Sequence, residues 1–197
     1  MRVILVFVNK KYLCYNAFMS PKKQKVVFLD RDGTLIFEPP GERLIHEEDE
    51  KLFPDDIEAL KLLSEHNIPI VIITNQAAIA EGTISLPDFH HLNDGIIEKL
   101  KPSGVSILKT YFCPHGPNDN CECRKPKPKM LLDAADEFDI DLKNSYMIGD
   151  RLSDIEAGIN AGTKTILVKT GLYPVTSDMA TLMAEDLLEA IEYIVAH

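Results

Sequence analysis

Val26-Val27-Phe28-Leu29-Asp30-Arg31-Asp32-Gly33-Thr34-Leu35 decides how the rest of the chain is read. Its four leading apolar residues predict a strand buried on both faces, the kind a parallel sheet requires. The run breaks into two carboxylates that flank an arginine. Residues two apart in an extended backbone point to one side, so Asp30 and Asp32 are expected to project together from the strand's C-terminal end. Gly33 lets the chain turn away sharply there. Paired carboxylates repel and raise each other's pKa unless a cation sits between them. A hard divalent ion such as Mg²⁺ suits the pair, because it takes oxygen ligands and keeps room for water and a phosphate. A plain strand and turn would explain Gly33 and one aspartate, but not two aspartates on one side after a fully apolar strand.

Strand and helix alternate outward from this stretch. Residues 35–49 carry Pro39-Pro40-Gly41 and no periodicity, a loop over the top of the sheet. Ile57, Leu60, Leu62 and Leu63, following Pro54 and Asp55-Asp56, predict a helix over 54–66. Residues 68–73 form a second apolar strand, stopped by the polar Thr74-Asn75-Gln76. Helices are expected over 86–100, opened by Pro87-Asp88, and over 129–138, 153–161 and 184–195. Strands are expected over 106–112, over 146–148 ending in Gly149-Asp150, and over 165–168. This order predicts an α/β domain built on a doubly wound parallel sheet. Ligands in such sheets bind beyond the C-terminal ends of the strands, where Asp30, Thr74 and Asp150 fall.

At 197 residues the chain suits one domain, read as 21–197, with 1–20 as an extension. That extension is open to three readings: an added edge strand, a disordered tail, or a start set upstream of Met19. Its apolar run, residues 3–8, is too short to span a membrane, and no cleavage site for export follows. A reducing cytoplasm is therefore expected, where cysteines are more often metal ligands than disulfides. A net charge of -10 argues against a nucleic-acid surface. It still admits a small anionic partner at a locally cationic site, and a monomer is expected.

Thr74 and Asn75 offer donors to a phosphoryl oxygen, or could merely cap the next segment. Lys125 lies in Arg124-Lys125-Pro126-Lys127-Pro128-Lys129, a basic cluster that is either a solvated face or a stiffened arm before a helix. Asp150 and Asp154 sit four apart at a strand-to-helix turn, where capping alone would explain them in isolation. Cys113, His115, Cys121 and Cys123 fall within eleven residues and offer the four ligands that a closed tetrahedral Zn²⁺ site needs, the alternatives being a reduced, unliganded loop or a local disulfide. Such a site has no open position, so its zinc is expected to be structural and to hold the loop presenting Arg124 and Lys125. Cys14 reads as a bystander.

Asp-x-Asp-Gly-Thr, then Thr-Asn, then Lys125, then Gly-Asp-x-x-x-Asp, each at a strand end or loop, resembles the four motifs of the haloacid dehalogenase superfamily of phosphohydrolases. The resemblance covers residues 26–171. With Cys-Pro-His…Cys-x-Cys-Arg-Lys-Pro it narrows to the zinc-loop branch containing the heptose 1,7-bisphosphate and histidinol-phosphate phosphatases, which have little or no cap domain. The resemblance implies a magnesium-dependent phosphatase for a small phosphorylated metabolite, with Asp30 as nucleophile and Asp32 as acid and base. It implies Mg²⁺ on the Asp30 carboxylate, the Asp32 carbonyl and the Asp150 carboxylate, with Asp154 behind them. Thr74 and Lys125 would neutralise the phosphoryl group, and Arg31, Thr74, Asn75, Gln76, Arg124, Lys125 and Arg151 would contact substrate. Heptose 1,7-bisphosphate is the expected substrate and histidinol phosphate the alternative, for whose cationic end Glu38, Glu42, Glu47 and Glu48 offer carboxylates. A non-catalytic zinc-loop binding protein on the same scaffold is the reading from another class. Two positions depart from the heptose pattern: Ala77 lacks a hydroxyl or carboxylate, and Arg151 replaces a lysine.

Overall fold

The computed structural model describes residues 4–8, 11–15, 23–38, 51–173 and 175–197. Strands Ile4–Val8 (β1) and Lys11–Tyr15 (β2) pair antiparallel with each other and not with the edge of the central sheet. The side chain of Cys14 lies outside the described residues.

The decisive stretch becomes Val27–Leu29 (β3), short and central. Then come Asp56–Glu65 (α1), Ile70–Asn75 (β4), Ala77–Ala80 (α2), Leu86–Leu100 (α3) and Ile107–Cys113 (β5). Lys129–Phe138 (α4), Tyr146–Gly149 (β6), Leu152–Ala161 (α5), Lys164–Val168 (β7), Leu182–Ala184 (β8) and Leu187–Ala196 (α6) complete the chain. The sheet order is β5-β4-β3-β6-β7-β8, and every pairing in it is parallel. Strand order therefore runs outward in both directions from β3, with β4 on one side and β6 on the other. A crevice opens at such a reversal, above the strand ends.

Alternation along each strand divides the core in two. Val27, Leu29, Ile70, Ile72, Tyr146 and Ile148 join the core beneath α1 and α6. Val26, Phe28, Val71, Ile73 and Met147 point the other way, against α4 and α5. Burial on both faces explains why these strands read as unbroken apolar runs. Phe28 is fully buried, and truncating it to alanine would cost about 3–5 kcal/mol.

Two elements differ from expectation. The closing helix begins at Leu187, not at residue 184, because Leu182–Ala184 pairs with Ile166–Val168 as an edge strand. Asp186 then caps the helix by accepting from the Glu189 amide at 2.9 Å. The short helix α2 follows β4 almost directly, a turn that no apolar spacing in the sequence predicts. Among the described residues, no helix is long and apolar enough to cross a membrane.

Candidate active site

The floor of the site is built on the end of β4. Asn75 uses both ends of its side-chain amide on the main chain of Lys125: Oδ1 accepts from the Lys125 amide at 3.0 Å, and Nδ2 donates to the Lys125 carbonyl at 3.2 Å. The lysine is thereby swung under the sheet's crest, where it is 4% exposed. Its ammonium lies 2.7 Å from Asp30 Oδ1, 2.8 Å from the Ile73 carbonyl and 2.5 Å from Asp154 Oδ1. Asp30 Oδ1 and the Ile73 carbonyl accept hydrogen bonds from it. The Asp154 contact is an ion pair without directed hydrogen-bond alignment. Asp154 Oδ2 meanwhile accepts from the Arg151 amide at 3.0 Å and closes the first turn of α5.

Asp150, at the end of β6, completes the acidic floor and accepts from Thr34 Oγ1 at 3.3 Å. Two glycines make room for it. A Cβ on Gly33, whose φ is +84°, would lie 2.7 Å from Asp150 Oδ2, and one on Gly171 would lie 2.1 Å away. Carboxylate oxygens of Asp30, Asp150 and Asp154 all lie within 4.8 Å of one another, and all three residues are buried. Burial, then the Asp154 charge, hold the Asp30 carboxyl well above the usual range, with Lys125 opposing and Asp150 adding. Burial and the Asp154 charge push Asp150 up to about 6. Burial alone would lower the Lys125 pKa, but the charges of Asp154 and Asp30 outweigh it and raise it. One ammonium for three close carboxylates leaves negative charge in excess. An all-oxygen donor set of that charge fits a hard divalent cation.

Asp32 stands beside this floor. Arg31 Nε and Nη2 donate to both its oxygens at 2.9–3.2 Å. Gln76 Nε2 donates to Oδ2 at 2.6 Å, and Thr74 Oγ1 does so at 3.3 Å. Gln76 Nε2 also donates to Thr74 Oγ1 at 2.8 Å. The Arg31 guanidinium is buried and lies over the Phe89 ring, 5.3 Å from its centroid. Expected substrate contacts thus engage the protein itself: Arg31, Thr74 and Gln76 hold Asp32, and Asn75 holds Lys125. All four still line the cleft.

That cleft encloses about 480 Å³, with Arg124 and Arg151 at its rim. Arg124 Nη1 donates to the His115 carbonyl at 3.1 Å, tying it to the cysteine loop. Arg151 Nη2 donates to Glu38 Oε2 at 2.6 Å. Glu38, one of the carboxylates expected to face a cationic substrate end, lines the cleft, as do Tyr173 and Pro117, which no motif signalled. Glu42, Glu47 and Glu48 lie outside the described residues.

Behind the rim, the expected cysteine and histidine ligands converge. Cys113 Sγ is 3.6 Å from His115 Nδ1, 3.5 Å from Cys121 Sγ and 2.8 Å from Cys123 Sγ. Cys123 Sγ is 3.2 Å from His115 Nδ1 and 3.7 Å from Cys121 Sγ, and no disulfide joins the three thiols. The ligand atoms of all four residues lie within 4.8 Å of one another, and three thiols with one imidazole are the number and kind of donors that a closed zinc site takes.

A parallel sheet carrying a carboxylate pair, a buried lysine and a second acidic turn at its strand tips defines a haloacid dehalogenase-like hydrolase. Residues 122–190 match the family model described as HAD-hydrolase-like. D-glycero-beta-D-manno-heptose-1,7-bisphosphate 7-phosphatase of Pasteurella multocida is 42% identical over 163 residues, covering 79% of this chain and 86% of that protein. The D-glycero-alpha-D-manno-heptose-1,7-bisphosphate 7-phosphatase of Campylobacter jejuni is 41% identical over 147 residues, covering 74% and 83%. The crystal structure of D,D-heptose 1,7-bisphosphate phosphatase from B. bronchiseptica, complexed with magnesium and phosphate, superimposes with a TM-score of 0.80 at 28% identity, covering 88% and 99%. The chain belongs to the D-glycero-D-manno-heptose-1,7-bisphosphate 7-phosphatase family.

Proposed function

We propose that residues 21–197 form a magnesium-dependent phosphatase that removes one phosphate from D-glycero-D-manno-heptose 1,7-bisphosphate. The observation carrying this reading is Lys125, buried between Asp30 and Asp154 on the floor of a cleft whose rim holds Arg124 and Arg151. Asp30 Oδ attacks phosphorus, and the bond from phosphorus to the sugar oxygen breaks. Asp32 gives its proton to that oxygen as it leaves. A water then attacks the aspartyl-phosphate, Asp32 takes the water's proton, and the Asp30 carboxylate is released with inorganic phosphate. Lys125 and Thr74 neutralise charge on the transferring group, which is most of what such a reaction requires.

The Asp30 carboxylate, the Asp32 carbonyl and the Asp150 carboxylate would hold Mg²⁺, which supplies positive charge to the phosphoryl oxygens when bound. Asp154 is assigned to Lys125 and the helix cap. Cys113, His115, Cys121 and Cys123 would hold a structural Zn²⁺. The proposal includes a reducing cytoplasm, which keeps neighbouring thiols available to a metal, and a monomer, since one chain supplies every residue used.

The test is a side-by-side turnover assay with both anomers of heptose 1,7-bisphosphate and with histidinol phosphate. Magnesium-dependent phosphate release favouring a heptose bisphosphate by at least about tenfold in kcat/KM is expected. Preference for histidinol phosphate overturns the substrate, and no release from any of them overturns the enzymatic reading.

A further inference from the structure

Glu38 stands on the short segment after the Asp30–Asp32 turn, and its carboxylate accepts from Arg151 Nη2 at 2.6 Å. Both side chains line the cleft, and Arg151 Nε lies 3.7 Å from Asp150 Oδ2. An arginine at the rim of such a cleft would otherwise offer its full charge and its planar set of donors to any phosphate that enters. Here a carboxylate already occupies part of that fork. Carboxylate and phosphate oxygens compete for the same N–H donors, because both are anionic acceptors.

We propose that Glu38 is a built-in counter-anion for Arg151 that weakens the site's hold on inorganic phosphate. The inference rests on the phosphatase reading and deepens it. Two effects of Glu38 oppose each other. It steadies Arg151, a gain on the scale of an exposed ion pair, since the two side chains are 54% and 24% exposed. Its charge also repels a phosphate held on the same guanidinium. A dianion feels that repulsion doubly, and a phosphate must displace the Glu38 carboxylate from the Arg151 N–H that it already holds. Competition therefore outweighs the steadying. The consequence for a phosphatase is discrimination between substrate and product. A bisphosphate brings a second anionic group for Arg124 and offsets the repulsion, whereas inorganic phosphate does not.

The experiment is calorimetric titration of inorganic phosphate into the full-length, magnesium-loaded protein and its Glu38→Gln and Glu38→Asp variants. Glu38→Gln is expected to bind phosphate about three- to tenfold more tightly, and Glu38→Asp to stay within about twofold of the parent. Unchanged or weaker binding in Glu38→Gln overturns the proposal, as does equal tightening in Glu38→Asp or no phosphate binding by any of the three. The readout is independent of turnover: failure to hydrolyse any sugar phosphate would count against the phosphatase reading alone.

Discussion

Replacing Lys125 with methionine removes a charge while keeping much of the side chain's length. Lys125 is buried between Asp30 and Asp154, with Asp150 in the same acidic cluster. Removing one partner of a buried pair leaves its counterpart's charge uncompensated and costs about 3–5 kcal/mol. In a chain of this length each kcal/mol lowers Tm by about 2–4 °C, so the expected fall is about 6–20 °C. The assay is thermal unfolding with a chelator present, so that no divalent ion substitutes for the ammonium. The carboxyls of Asp30 and Asp150 already lie above their usual range, Asp150 at about 6. A carboxyl whose folded pKa is raised favours its neutral form in the fold, so the penalty shrinks as pH falls through that pKa. The gap between parent and variant should therefore be wide at pH near 7.5 and narrower near 5.5. A fall under about 2 °C, or a gap that widens in acid, would refute the account of the floor as a charge balance.

Asp30→Asn is expected to abolish magnesium-dependent phosphate release with no loss of Tm, since it relieves repulsion among three close carboxylates; near-normal turnover would remove Asp30 as nucleophile. Elemental analysis should find about one zinc per chain, and stripping it should raise KM more than it lowers kcat. Asp56 is buried and its pKa is pushed up to about 8 by burial, against the Phe53 amide that bonds it. Stability from this site is greatest in acid and falls as pH rises towards 8. Asp56→Asn should accordingly raise Tm, by about 1–3 kcal/mol of stability at pH above 8 and by less at pH 5, read from melts across that range.

Much of the fold was legible because its strands are buried on both faces. Residues 26–29, 70–73 and 146–148 have no polar side to blur the pattern. The bounds of α3 and α4 were also readable, from Pro87 and from the apolar spacing after Lys129. The split of the final segment was not, since Leu182–Ala184 is three residues long and its pairing with β7 is non-local. Asp186 with Glu189 three residues on was the available signal for the true helix start. Asp30, Lys125 and Asp150 could be gathered from their order along the chain. What the sequence could not assign was which polar group faces which: Gln76 turns to Asp32 and Asn75 to the Lys125 main chain, choices made only by three-dimensional proximity. Gly171 offered a faint clue, a glycine just beyond a strand end, where close backbone approach is common.

The two-sided grip of Asn75 on the Lys125 peptide separates two jobs within one loop. The lysine answers to the sheet, fifty positions away in sequence, while its neighbour Arg124 answers to the cysteine turn through the His115 carbonyl. Loss of a zinc ion from the cysteine cluster would therefore fray the mouth of the pocket first and spare its base. The chemistry at the bottom is insulated from the fate of the ornament above it.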